Sequence, residues 1–395
     1  MSTSAADGPR HRARRVATRE GLLYVLKVFV AVRLGLALIA VLGTALLPPL
    51  HAVSVPGWPA PPATPGWHNL FTAWERFDAL WYLRIAAHGY ANHDGSAAFF
   101  PLYPLLVRAV SFALGNHPYA ASLVVSNLAF LAGLAVLYAF TREEESEGVA
   151  RRAVLYAAVF PTALFFVAPY SESLFLLLAL VTLWAARRGR WAAAGLAGAL
   201  AALTRNLGLL LVLPLAVEAV QQGRGRPRAS ALAWSAAPAA GTLAYLWYWR
   251  AISGDWLAPL HQQSGWQRTW SFPLATLWHA TQDFWRYAGL YPGGYHQLDW
   301  VIVVPALAAG VYAAVRFRPL YGVYTWASFL APLCLVFAPR PLMSFPRFVL
   351  PVFPVYWAFA RWTEGRRTAH ELLVACSAAL LGVLTLLFVN WYYVF

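Results

Sequence analysis

The stretch RRAVLYAAVFPTALFFVAPYSESLFLLLALVTLWAARR, residues 151–188, sets about 34 mainly apolar residues between two arginine pairs. A helix crosses the hydrocarbon core of a bilayer in about 20 residues, so this run is too long for one crossing. Positive clusters stay on the cytoplasmic face, so a run that is basic at both ends needs an even number of crossings. The stretch therefore reads as a hairpin with Pro169-Tyr170-Ser171-Glu172-Ser173 at its outer tip.

The same parity argument organises the rest of the chain. The basic clusters are the N-terminal tail, Arg142 with Arg151 and Arg152, Arg187 with Arg188 and Arg190, Arg224 with Arg226 and Arg228, Arg316 with Arg318, and Arg361 with Arg366 and Arg367. All of them fit on the inside. A second hairpin then turns at Leu203-Thr204-Arg205-Asn206, and a third over residues 338–347. Single spans near 22–47, 118–141, 229–252, 299–315 and 371–393 bring the total to about eleven transmembrane helices, with the N-terminus inside and the C-terminus outside. Residues 1–21 are expected to be a disordered basic tail and 22–395 a single transmembrane domain. Its two long outer loops are about 48–117, opening on VPGWPAPPATPGW, and about 253–298.

Composition agrees with this. The chain is 60% hydrophobic and only 12% charged, against roughly 45–50% apolar and 25% charged in soluble domains. The net charge of +14 is almost all arginine, since Lys27 is the only lysine. The arginines lie in short clusters between apolar runs, a topology signal rather than a nucleic-acid patch. Cys334 and Cys376 both sit in apolar runs and have no metal-type spacing. The run after the tail is longer than the roughly 7–15 residue core of a signal peptide and reads as a retained first span.

Within the first outer loop, WERFDALWYLRIAAHGY (74–90) places Trp74, Phe77, Trp81, Ile85 and His88 on one stripe of a helix, with Asp78 inside the stripe. The neighbours of Asp78 at three and four positions are Trp74, Glu75, Trp81 and Tyr82, so no local basic side chain pairs with it. Desolvation, with Glu75 one turn back, should raise its pKa, and a poised carboxylate is what a general base requires. The alternative is an arginine from another helix that merely locks the fold. The amphipathic stripe favours the base, because such a helix lies in the interface where a lipid-linked substrate presents its polar head.

Glu172 has two readings. It favours the positive end of a helix that Ser171 caps, or it contacts substrate. Arg205 and Arg347 run against the positive-inside bias, and each can either pair with an acid or clamp a phosphate. Arg33, inside the first span, is expected to snorkel or pair. His88, His261 and His279 lack HExxH-like spacing, so no protein-built metal cage is expected. An Mg²⁺ or Mn²⁺ ion shared between one carboxylate and a substrate phosphate stays open. The chain has no P-loop, no dinucleotide fingerprint and no GxSxG elbow.

Five blocks in order, WERFDALWYLRIAAHGY (74–90), AFFPLYPLLVR (98–108), PYSESLF (169–175), LTRNLGLLL (203–211) and SFPRFVLPVFP (344–354), resemble the PIG-V type of GPI mannosyltransferase II, in particular its bacterial relatives. The resemblance implies an all-α polytopic GT-C glycosyltransferase. Its donor would be polyprenyl- or dolichyl-phosphate mannose and its acceptor a lipid or glycan hydroxyl, at the extracytoplasmic face of a bacterial plasma membrane. It places the base at Asp78 and the departing phosphate near Arg347 or Arg205. Glu172, with Gln263 and Trp266 of QQSGWQR (262–268), is expected to line the sugar pocket. His88 and Tyr170, which lie in matching blocks, are expected to contact substrate. The arginine and alanine usage is that of a high-GC bacterium, in which the eukaryotic GPI acceptor does not carry over.

Two other classes compete. A flippase or transporter of lipid-linked sugars would hide its polar groups at mid-bilayer, often in repeated halves, whereas here they gather at outer tips. A ligase or phosphotransferase acting on lipid-linked glycans would share the same base and arginines.

Overall fold

The computed structural model describes residues 18–223, 228–262, 267–290 and 294–394. The tail arginines before residue 18, Arg224 and Arg226 of the fourth cluster, and Gln263 and Trp266 lie outside the described residues. The first helix runs Arg19–Leu46, so it starts ahead of the expected boundary at 22. Thr18 caps it, with Oγ1 accepting from the Gly21 N–H at 3.2 Å.

The chain is mostly helical and is a multi-pass membrane protein. Among the described residues, four helices are long and apolar enough to cross a bilayer: Arg19–Leu46, Pro118–Glu144, Gly294–Arg316 and Arg367–Val389. The other expected spans are broken. The 229–252 segment is split into Ala229–Ser235 and Ala237–Ser253, just ahead of Pro238. The second hairpin is built from Trp191–Ala202, a 3-10 turn Asn206–Leu211 and Val212–Gln222. The third runs Pro319–Cys334, a short strand Leu335–Phe337, Phe345–Val349 and Pro354–Trp362.

The first hairpin shows why its arms are short. Ser146 caps Glu147–Ala158, its Oγ accepting from the Val149 N–H at 3.2 Å. Pro161 then stops the helix, because proline supplies no N–H and clashes with the preceding turn. A 3-10 segment Ala163–Phe166 follows, and the helix Glu172–Arg187 begins only after Pro169. Residues 156–176 are all buried, so this irregular backbone is shielded by protein. Irregular backbone at membrane depth needs internal partners. The Phe166 carbonyl accepts from Arg33 Nη2 at 2.7 Å and from Ser173 Oγ at 3.0 Å, and Thr162 Oγ1 donates to the Pro346 carbonyl at 2.9 Å. Arg33 therefore does not snorkel. Its guanidinium lies 5.1 Å from the Phe29 ring and 5.3 Å from the Phe130 ring and, through the Phe166 carbonyl, stitches the first span to the hairpin.

Among the described residues, arginines of the second, third, fifth and sixth basic clusters gather around Glu143–Glu147. Glu144 pairs with Arg187 at 3.0 Å and Arg318 at 3.9 Å, Glu145 with Arg361 at 3.3 Å, and Glu147 with Arg142 and Arg151 at 2.9 and 2.8 Å. Arg188 pairs with Glu143. Gln222, just ahead of the fourth cluster, donates to the Ala186 carbonyl at 2.8 Å. The described ends of the hairpins thus lie close together around Glu143–Glu147.

Small residues allow the second hairpin to pack closely. In lipid, where helix association depends on close contact, small side chains let backbones approach. A Cβ on Gly241 would sit 2.4 Å from the Ala199 carbonyl oxygen of the facing helix, and one on Gly198 would sit 2.8 Å from Pro238. Gly241→Leu should push these helices apart and cost about 1–3 kcal/mol of stability, read as a lower unfolding midpoint in detergent. An unchanged midpoint would contradict the close crossing.

Candidate functional site

Away from the basic end, each acid finds a partner. Asp94 pairs with Arg84 at 2.5 Å, Asp299 takes a bidentate contact from Arg340 at 2.6 and 2.8 Å, and Asp255 meets His261 at 2.8 Å. Glu75 accepts from the Trp58 indole N–H at 2.8 Å. Burial pushes the Glu75 carboxyl above its ordinary range, while Trp58 and Arg76 pull it back. Asp283 lies 4.0 Å from the His296 ring nitrogen, and the remaining two, Asp78 and Glu172, belong to one chain of ion pairs.

Asp78 is the first residue of the helix Asp78–His88. Residues 74–77 are not part of that helix, which corrects the expected continuous stripe. Phe77 turns the chain with φ 53° and ψ −120°, a conformation costing about 1–3 kcal/mol. Contacts from the C-terminal segment hold it there: the Phe77 ring lies 5.7 Å from Phe388, 5.3 Å from Trp391 and 5.4 Å from Tyr393. Arg76 Nε donates to the Val389 carbonyl at 3.0 Å and Tyr170 Oη to the Arg76 carbonyl at 3.1 Å. The helix is packed against the rest of the protein. Leu80, Tyr82, Leu83, Ile85 and Ala86 are buried in protein.

Nor is Asp78 unpaired. Arg347 Nη1 donates to its Oδ2 at 2.5 Å, across 269 residues of sequence. The Nε of the same guanidinium donates to Glu172 Oε1, and Arg205 Nη1 donates to that same oxygen. Glu172 is completely buried. The order is Asp78, Arg347, Glu172, Arg205, and the last three come from the tips of the third, first and second hairpins respectively. The Arg347 guanidinium lies over the Tyr170 ring at 4.6 Å and near the Phe165 ring at 5.3 Å, and Arg205 lies over Phe348 at 5.5 Å. Ser171 makes no side-chain cap to its helix. Its Oγ pairs with Tyr82 Oη at 2.9 Å and accepts from Arg205 at 3.3 Å, so the capping reading gives way to one in which Ser171 and Glu172 seat arginines.

Above this chain opens a cavity of about 260 Å³, lined by Asp78, Tyr82, Arg205, Arg268, Ser344, Arg347 and Tyr393 among others. The Asp78 side chain is 31% exposed, against 9% for Arg347 and 0% for Glu172. Of the charged chain, Asp78 is thus the member that presents its carboxylate to the cavity. Tyr170 and Glu172 lie beneath the lining rather than in it. His88 is exposed at the far end of its helix, with its ring 6.0 Å from Trp58, and does not line the cavity. Among the described residues, no group of three or more His, Cys, Asp and Glu is placed to hold a metal ion, and Asp78 and Glu172 are already held by arginines.

Sequence reasoning missed Arg268 and the strand that carries it. Arg268–Trp270 pairs antiparallel with Leu335–Phe337, and a ribbon this short leaves no periodic signal. Arg268 Nη2 donates to Ser344 Oγ at 2.8 Å and Nη1 to the Leu335 carbonyl at 3.3 Å. Burial lowers the pKa of this guanidinium, with Tyr393 opposing, Arg347 adding to the shift and Asp78 opposing. The signal that drew attention to Arg205 and Arg347, arginine in a segment expected to lie outside, applies to Arg268 as well.

The family model for Mannosyltransferase (PIG-V) matches residues 22–222 of the chain, and no curated protein matches it. Among solved structures, ArnT from Cupriavidus metallidurans bound to undecaprenyl phosphate is similar at 15% identity and a TM-score of 0.47, over 93% of this chain and 76% of that one. The oligosaccharyltransferase of Archaeoglobus fulgidus, in complex with Zn and sulfate, is similar at 13% identity and a TM-score of 0.42, over 92% of this chain and 53% of that one.

Removing the charge of Glu172 strands two guanidiniums in a buried site. Glu172→Gln should lower stability by about 3–5 kcal/mol, measured as the unfolding midpoint in detergent. Adding Arg205→Gln to that variant should restore part of the loss. Additive losses would mean that the shared carboxylate oxygen couples nothing.

Proposed function

Because the chain belongs to the mannosyltransferase (PIG-V) family and is a glycosyltransferase, we propose that it transfers mannose, with inversion, from a polyprenyl-phosphate mannose to a hydroxyl of a lipid-linked or cell-envelope glycan. The reading places it in a bacterial plasma membrane with a GT-C architecture of about eleven crossings. The N-terminus is then inside, and the cavity and C-terminus face outward. The gathering of basic clusters around Glu143–Glu147 supports the orientation by the positive-inside rule. Helical arms such as Glu147–Ala158 rise only about 18 Å, less than the roughly 30 Å hydrocarbon core, and 3-10 and irregular backbone shielded by protein completes those crossings.

The observation that carries the reading is the presentation of Asp78. Arg347 holds one carboxylate oxygen while the side chain stays open to a cavity rich in arginine. As general base, Asp78 takes the proton of the acceptor hydroxyl. The acceptor oxygen attacks the anomeric carbon from the face opposite the phosphate. The bond between that carbon and the phosphate oxygen breaks with its electron pair going to the phosphate, so an α-mannoside and polyprenyl phosphate form and the proton rests on Asp78. Charge grows on the phosphate as it departs, and guanidiniums at the cavity wall stabilise that charge more in the transition state than in the ground state. The energy resides in the phosphoester, so no nucleotide is consumed.

Asp78→Asn keeps the size of the side chain and removes the base. With the protein in nanodiscs, polyprenyl-phosphate mannose and candidate glycan acceptors, transfer should fall about 10²–10⁴-fold. Transfer at the wild-type rate in this variant would sink the assignment of Asp78.

A further inference from the structure

Three guanidiniums face this cavity and its floor, those of Arg205, Arg268 and Arg347, against two carboxylates, Asp78 and Glu172. Arg205 and Arg347 are both matched by acids. Arg268 has no carboxylate partner among the described residues, and its two hydrogen bonds go to a serine hydroxyl and a backbone carbonyl, neither of which neutralises it. The one unmatched positive charge of the site therefore lies on Arg268.

Its mounting is specific. The ribbon aligns Arg268 with Phe337, Thr269 with Val336 and Trp270 with Leu335, which fixes the height of the guanidinium over the cavity. Its contact with Ser344 ties it to the turn that carries Arg347: Ser344 has φ 69° and stands directly before the helix Phe345–Val349. Arg268 thus borders the same cavity as the Asp78 carboxylate but belongs to a separate support, and it can bind an anion without taking an arginine from Asp78 or Glu172.

We propose that Arg268 is the residue that binds the phosphate of the lipid-linked donor, while Arg347 and Arg205 stay engaged with Asp78 and Glu172. This rests on the donor class proposed above. A sugar phosphodiester carries a single negative charge, which matches the single unmatched arginine. After transfer, the released monoester gains a second ionisation with a pKa near 6, and Asp78 has by then taken up a proton. Site and ligand stay in charge balance on both sides of the reaction. A guanidinium also offers planar paired donors suited to phosphate oxygens.

The test uses the full chain in nanodiscs, with undecaprenyl phosphate and uncharged undecaprenol as probes and binding read by tryptophan fluorescence. Arg268→Gln should weaken undecaprenyl phosphate by about tenfold or more, the equivalent of losing roughly 1.4 kcal/mol of charge-assisted contact, and leave undecaprenol unchanged. Arg268→Lys should recover part of the loss. In the transfer assay, Arg268→Gln should raise the KM for donor and leave the KM for acceptor as it was. The proposal is overturned if Arg268→Gln binds undecaprenyl phosphate as the wild type does. It is equally overturned if the variant loses both lipids alike, since that marks a purely structural role. Wild-type protein that prefers undecaprenyl phosphate through Arg268 but transfers no mannose from any lipid phosphate would overturn the proposed function and leave the phosphate site standing. Transfer that persists with an unchanged donor KM in Arg268→Gln would overturn the phosphate site alone.

Discussion

A single oxygen, Glu172 Oε1, accepts from two guanidiniums in a place closed to solvent. Taking an ion out of water costs several kcal/mol, and only close, well-aligned opposite charge offsets that cost. The carboxylate therefore draws Arg205 from one hairpin tip and Arg347 from another, and Arg347 in turn draws Asp78 from the segment between the first two long helices. Four segments that are far apart in the chain are held at contact distance by this one requirement. The cavity is the space left above them.

The tips were legible because they depend on two quantities that a sequence states directly, the length of an apolar run and the charge at its ends. Glu172, Arg205 and Arg347 were each singled out from a different run, and they meet. The beginning of the helix at Asp78 was not legible, because packing from Phe388, Trp391 and Tyr393 at the far end of the chain imposes the positive φ of Phe77. The pairing of Asp78 with Arg347 escaped for a similar reason. Helical neighbours at three and four positions were correctly excluded, but the partner stands 269 residues away. Ser171 looked like a cap, yet its hydroxyl is used by Tyr82, a residue that no local rule connects to it.

Hydropathy also conceals a distinction that matters here. An apolar run reads the same whether lipid or protein surrounds it. The first hairpin is protein-enclosed around its tip, which allows it to carry two prolines, a 3-10 segment and a buried acid. Each irregularity is matched by a polar group from elsewhere: Arg33 for the Phe166 carbonyl, the Pro346 carbonyl for the Thr162 hydroxyl, and two arginines for Glu172. Expected helical spans and observed broken ones therefore differ most where the backbone approaches the cavity.

The order of these residues along the chain has a consequence for biogenesis. A ribosome delivers Asp78 and Glu172 to the membrane before Arg205 exists, and Arg347 comes much later. During that interval Glu172 has at most one of its two arginines, Arg205, and Asp78 has none. Enclosure awaits the third hairpin, and a chain cut short before residue 347 leaves both acids without the arginine they share. Completion of the site thus waits on Arg347, the last of the four to be made, and until it arrives neither acid has its full set of counter-ions.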